Sequence, residues 1–253
     1  MPILPGAEPY HHAGGPVGAL MCHGFTGSPQ SMRPWAEHLA AAGLTVALPR
    51  LPGHGTRWQD ANMTTWDDWY ACIEREFLAL RERCEAVFVC GLSMGGTLSL
   101  RLAEQHGRDL AGVVVVNPSV IGLDPRLKVL PVLQRVLPSL GGIGSDIKKP
   151  GVDELAYSRV PLRALYSLRR AWDVVRADLP KVTQPLLLLR SAEDHVVEPE
   201  SSRLVLARVS STDVTEIVLE DSYHVATLDN DADRIFGESL DFIRRIRPTV
   251  TSG

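Results

Sequence analysis

A serine can open an acyl bond when three conditions meet: an exposed hydroxyl on a rigid support, a base to take its proton, and an acid to orient that base. The stretch Gly91-Leu92-Ser93-Met94-Gly95 could meet the first. A short apolar, β-branched run, Val87 to Cys90, leads into it, and a helical pattern (Thr97, Leu98, Leu100, Leu102, Ala103) starts directly behind. Gly-x-Ser-x-Gly between a strand and a helix puts the serine on a sharp, strained turn with its hydroxyl exposed. Gly91 and Gly95 lack the β-carbons that would collide across such a turn, and the N-terminus of the following helix favours developing negative charge. Ser93 is therefore the candidate nucleophile. The pentapeptide also arises by chance, so the reading depends on its partners.

On an open α/β sheet those partners should come later in the chain, acid before histidine, each in a loop after its own strand. The apolar run Leu186 to Leu189 is followed by Glu193-Asp194-His195-Val196-Val197, and the run Val214 to Leu219 by Glu220-Asp221-Ser222-Tyr223-His224-Val225. Asp194 is the expected orienting acid, with Glu193 its main competitor and Asp221 a weaker one. His224 is the expected general base and acid. His195 follows the wrong strand to serve Ser93, and His54, in a Gly-flanked turn, reads as a residue of the pocket rim. His11, His12, His38 and His106 fall on surface or helix positions. A developing oxyanion needs two N–H donors: Met94, next after the nucleophile, and Phe25 in the loop His23-Gly24-Phe25-Thr26-Gly27 after the first confident strand. Chemistry of this kind requires no metal and no organic cofactor.

The elements that must hold these loops are visible in the hydrophobic pattern. Of the 253 residues, 45% are apolar and 22% charged, which suits one soluble α/β domain with a full core. A net charge of -4 gives no surface for nucleic acid. The four cysteines have neither metal spacing nor a paired framework. No charged start precedes a long apolar run, so neither a signal peptide nor a spanning helix is expected, and the cytosol is the default location. The residues up to Pro16 hold one edge strand at most. Strands are expected at Val17 to Cys22, Leu44 to Leu48, Val87 to Cys90, Val113 to Val116, Leu186 to Leu189 and Val214 to Leu219. Helical patterns lie between them: one with Ser28 or Ser31 as N-cap, one opened by Thr65 and Asp68, one near Glu200 to Val209, and a last one through Ile246. This alternation gives a doubly wound, mostly parallel sheet. Residues 121–181 interrupt it, with Pro125, Pro131, Pro138, Pro150 and Pro161 among apolar helical stretches. They read as a helical cap inserted over the strand ends, dividing the chain into a core of 1–120 and 182–253 and a cap of 121–181.

Six segments together resemble the bacterial monoacylglycerol lipases, α/β-hydrolases related to the small thermostable carboxylesterases of Bacillus type. They are His23 to Pro29, Gly91 to Gly95, Gly142-Ile143-Gly144-Ser145-Asp146-Ile147-Lys148, Glu154-Leu155-Ala156-Tyr157, Glu193 to Val197, and Ser222 to Asp229. The resemblance implies the α/β-hydrolase fold, a Ser93–His224–Asp194 triad, and Phe25 and Met94 at the oxyanion hole. It also implies a lipid ester as substrate, Ile143 at the mouth of an acyl channel, and Glu154 as the acid that binds glycerol hydroxyls. Taken alone, Glu154 reads as a solvated helix residue. A carboxylate accepting from two hydroxyls would nevertheless discriminate well, because analogues without them leave it unpaired. The segment Val129 to Leu140 departs most from the family in length and prolines. The near alternative is a general short- to medium-chain carboxylesterase, and a remote one is a non-catalytic ligand-binding member of the fold. An apolar cap could also touch a lipid surface transiently to collect substrate.

Overall fold

The computed structural model describes residues 2–142 and 145–248. The sheet strands are β1 (Tyr10–His12), β2 (Val17–Cys22), β3 (Thr45–Leu48), β4 (Ala86–Leu92), β5 (Gly112–Val116), β8 (Leu186–Ser191) and β9 (Val214–Leu219), while β6 (Ser139–Gly141) and β7 (Arg159–Pro161) form a separate antiparallel pair. The seven strands lie in the order β1-β3-β2-β4-β5-β8-β9. Only β1, at one edge, runs antiparallel to its neighbour; the other pairs are parallel. The chain moves outward from β2 to β3 and then crosses back to β4, so β2 and β4 flank the point where the winding reverses. In open α/β sheets ligands bind beyond the carboxyl ends of the strands at such a point.

Both faces of the sheet are covered, which is why its central strands are continuous apolar runs and do not alternate. Leu20 and Cys22, Val87 and Val89, Val113 and Val115, and Leu186 and Leu188 face one side. They meet α3 (Trp66–Arg81), α4 (Met94–His106), α6 (Leu162–Asp178) and α7 (Pro199–Arg208). The alternate residues, among them Met21, Phe88, Val114 and Leu187, face α1 (Arg33–Ala41) and α8 (Ala232–Ile246) on the other side. The aromatic stripe of α3 belongs to the first of these layers, with Trp69, Ile73 and Phe77 fully buried. Its start is held as expected, the Thr65 N–H donating to Asp68 Oδ2 at 2.8 Å.

The expected serine cap of the first helix is not what the chain does. Pro29 opens a 3-10 turn, Pro29–Met32, and α1 begins only at Arg33. Ser31 Oγ donates back to Ser28 O, so neither serine side chain caps a helix N–H. Two short helices, α2 (Trp58–Ala61) and α5 (Leu130–Val136), complete the set. Between β5 and β8 the chain runs through a 3-10 turn, α5, the β6–β7 pair and α6. α6 sets Leu168, Trp172 and Val175 into the core layer beside α4. Among the described residues no helix is long and apolar enough to cross a membrane.

Candidate active site

β4 runs straight into α4 with one residue between them. Ser93 occupies it, at φ 56° and ψ -118°, a backbone region that costs a residue with a side chain on the order of 1–3 kcal/mol. Its backbone is held from β5: the Ser93 N–H donates to Val116 O at 2.9 Å, and the Ser119 N–H donates to Ser93 O at 3.2 Å. The flanking glycines are steric requirements. A Cβ on Gly91 would lie 2.2 Å from Gly95 O, and one on Gly95 would lie 1.8 Å from Cys22 O. The start of α4 therefore rests on the backbone of both β4 and β2, which brings Ser93 beside the loop after β2. The Ser93 side chain lines the large cavity at this end of the sheet.

His224 and Asp194 meet beside it. His224 Nδ1 is 2.8 Å from Asp194 Oδ2, with both side chains almost wholly buried. Asp194 Oδ1 accepts the N–H groups of Val196 and Val197 at 2.8 Å each. Burial alone would raise the Asp194 carboxyl, but the charge and hydrogen bond of His224 and those two N–H donors hold it below its ordinary value. Burial likewise opposes charge on His224, yet Asp194, Glu154 and Asp146 together raise its affinity for a proton. The rival residues lie elsewhere. Glu193 pairs with the His195 ring, and Asp221 pairs with Lys148. The backbone of His224 has a support that the sequence did not reveal. Asn117, at φ 45° just past β5, donates from Nδ2 to His224 O at 2.8 Å and accepts the Ser191 N–H at 2.8 Å. Its only sequence signal is its place directly after the Val113 to Val116 run.

Phe25 and Met94 line the same cavity, and their backbone N–H groups have no acceptor among the described residues. Two unpaired donors in the same cavity as a serine hydroxyl are what a developing oxyanion requires. His23 fixes the loop that carries Phe25: its Nδ1 is 3.0 Å from Gly24 O, and its Nε2 accepts the Leu51 N–H at 3.2 Å. Burial pushes the His23 ring down to about 3, so it stays neutral and keeps that acceptor. His54 is not at the rim as expected. It is fully buried behind Phe25, its ring 6.3 Å from that of Phe25 and 5.3 Å from that of Trp69.

The cavity holds about 300 Å³. Its inner wall is apolar, built by Leu127, Leu130 and Leu133 with Leu165, Leu168 and Trp172 of α6. Glu154 stands at its polar end in coil and not on a helix, with Oε1 only 2.6 Å from where a Cβ on Gly27 would be. Burial pushes the Glu154 carboxyl up, partly offset by the charge of His224 and the Ser31 hydroxyl. Its segment is tied to the Phe25 loop: the Tyr157 N–H donates to Thr26 O at 3.0 Å, the Leu155 N–H to Gln30 Oε1 at 2.9 Å, and Tyr157 Oη to Gly53 O at 2.7 Å. Ile143 lies outside the described residues.

Residues 18–231 match the family described as serine aminopeptidase, S33. The chain belongs to that hydrolase family. Among its relatives, the thermostable monoacylglycerol lipase of Bacillus sp. (strain H-257) is 46% identical over 96% of this chain and 97% of its own length. The carboxylesterase of Bacillus subtilis (strain 168) is 24% identical over 94% of this chain and 97% of its own. A solved structure from the metagenome-derived lipolytic enzymes LipS and LipT superposes with a TM-score of 0.94 at 45% identity, covering 96% of this chain and all of that one. The monoacylglycerol lipase of Paleococcus ferrophilus, 21% identical, shares the fold with a TM-score of 0.79 over 94% of this chain and 99% of its own. The S33 family assignment agrees with the α/β-hydrolase architecture expected from the strand and helix alternation.

Proposed function

We propose that the chain is a serine ester hydrolase that cleaves monoacylglycerols into glycerol and a free fatty acid. One observation carries this reading: Ser93, His224, Phe25, Met94 and Glu154 line one cavity that also has an apolar wall of leucines and Trp172, and Asp194 bonds the His224 ring. A lipid with a diol head and a long tail needs that combination of a few acceptors and a greasy channel. The similarity to the Bacillus sp. lipase supports it.

In the mechanism, Ser93 Oγ attacks the ester carbonyl carbon while His224 Nε2 takes its proton. Asp194 bonds Nδ1 and so keeps the ring in the tautomer that presents Nε2 to the serine. The N–H groups of Phe25 and Met94 stabilise the oxyanion, each by roughly 10² to 10³ in rate. His224 then protonates the leaving glycerol oxygen, and water activated by the same ring hydrolyses the acyl-enzyme. Glu154 accepts hydrogen bonds from the glycerol hydroxyls. Residues 121–181 act as the cap, and the leucines of the inner wall hold the acyl chain. Each methylene that enters adds about 0.8 kcal/mol until the channel is full.

The cap also supports a lipid-surface contact. α5 turns Leu130 and Leu133 inward, while Val132 and Val136 point outward with 67% and 72% of their surface exposed, beside the exposed Arg126, Lys128 and Arg135. Apolar residues rimmed by basic ones suit transient docking on an anionic lipid layer. The central test is chemical. A fluorophosphonate probe should label Ser93 in the wild type, and Ser93→Ala should lose both the label and monoacylglycerol turnover; retained labelling at another serine refutes the assignment.

A further inference from the structure

His224 is held at three points by three different parts of the chain. The ring is held by Asp194, from the loop after β8, and the carbonyl by Asn117, from the end of β5. The third hold comes from the inserted segment: the His224 N–H donates to Asp146 Oδ2 at 3.1 Å. Asp146 is bound to the histidine loop a second time, its own carbonyl accepting the Val225 N–H at 3.1 Å. Its carboxylate also accepts the His195 N–H at 3.2 Å and lies 2.8 Å from His195 Nδ1, with 9% of its side chain exposed. The next residues continue the join. The N–H groups of Lys148 and Lys149 donate to Asp229 at 2.7 and 2.9 Å, and the Tyr223 N–H donates to the same carboxylate at 2.9 Å. Residues 146–149 are thus knitted to residues 223–229, and Ile147 packs with the core layer that faces α1 and α8.

We propose that Asp146 is a positioning residue for His224, so that the insertion sets the location and charge environment of the base as well as enclosing substrate. The proposal rests on the reading of His224 as the general base. Two effects follow from the geometry. A backbone held at both N–H and C=O keeps the imidazole from drifting, and misplacement of a catalytic group by about 1 Å can cost on the order of 10²-fold in rate. A carboxylate this shielded from solvent also favours the imidazolium. The charged groups facing His224 are Asp194 from the loop after β8, and Glu154 and Asp146 from the insertion; Ser93, from the β4–α4 turn, carries none. His195 bonds the Asp146 carboxylate, and Glu193 bonds the His195 ring.

The test compares Asp146→Ala and Asp146→Asn with the wild type, using kcat and KM per active site titrated with the fluorophosphonate, from acid to neutral pH. Asp146→Ala removes both the hold and the charge. Its kcat should fall about 10²-fold with little change in KM, and the acid limb of its kcat/KM profile should move to lower pH. Asp146→Asn keeps an acceptor oxygen for the His224 N–H, so it should recover most of kcat above the acid limb while keeping the shift. A merely structural role would reduce soluble yield or stability without moving the limb, and that result overturns the proposal. If Asp146→Ala does not fold, Asp146→Asn decides alone: an acid limb in the wild-type position is refuting. Ser93→Ala and His224→Ala, run in parallel, report on the triad separately. Turnover retained in either brings down the triad and the proposal together. Turnover lost in both, with wild-type kcat and acid limb in both Asp146 variants, leaves the triad standing and refutes the proposal alone.

Discussion

Glu154→Gln replaces a carboxylate by an amide of the same shape at the polar end of the cavity. The amide oxygen can still accept from one glycerol hydroxyl, but its NH₂ group cannot accept from the other. One hydrogen bond to a charged group is worth about 1.5–3 kcal/mol, which corresponds to about 10- to 150-fold in kcat/KM for the glycerol ester. The methyl ester of the same fatty acid has no hydroxyls to lose and should change little. Gly27→Ala reaches the same carboxylate from behind. Its Cβ would lie 2.6 Å from Glu154 Oε1, which must then withdraw about 0.8 Å to reach ordinary contact at 3.4 Å. The assay is the ratio of kcat/KM for a monoacylglycerol to that for the matching methyl ester, in the wild type and both variants. Because burial raises the Glu154 carboxyl, the wild-type ratio should also decline as pH falls through that raised value. A ratio unchanged in both variants would refute the head-group role and leave a general carboxylesterase.

Only the neutral imidazole can take the serine proton, so kcat/KM should fall on the acid side with a midpoint above the ordinary histidine value of 6.5, and a flat acid limb counts against His224. The raised value has a matching effect on stability. His224 contributes stability that is complete below 6.5 and is lost as pH rises through its folded value, so urea titrations of His224→Ala should show a larger loss near about pH 5.5 than near about pH 8.5. Gly95→Ala places a Cβ against the Cys22 carbonyl and should destabilise by about 3 kcal/mol or more in urea unfolding, unless the turn can open without cost. Val132→Glu with Val136→Glu should slow hydrolysis of monoacylglycerol presented in anionic vesicles while sparing soluble short-chain esters; equal effects on both would argue against surface docking.

The central strands and the order of Ser93, Asp194 and His224 could be read from the sequence for a physical reason. A parallel sheet buried on both faces requires uninterrupted apolar runs, and the residues just past such runs are where side chains become available. Asn117 and Asp146 carried no comparable signal, because their bonds to His224 span 107 and 78 positions and appear only when the loops are folded. The serine cap of α1 failed because Pro29 started a tighter turn that spent Ser31 on a local carbonyl. His54 looked like a rim residue because glycines surround it, yet the turn folds inward and packs the ring behind Phe25. Glu154 was legible only through resemblance. No periodicity marks a carboxylate held in coil by Ser145, whose hydroxyl accepts its N–H at 2.9 Å.

The four residues Val116 to Ser119 touch both halves of the proposed chemistry. Val116 O and the Ser119 N–H grip the backbone of Ser93, and Asn117 grips the carbonyl of His224. Two loops that lie 131 positions apart therefore share one short stretch of backbone as a common hold, much as a jig fixes two parts to one datum. Loop changes between β5 and β8 that spare Val116 to Ser119 and the Asp146 segment can accumulate without altering those holds. The outer walls of the pocket are thus free to diversify toward new acyl chains while the reacting atoms keep their separation.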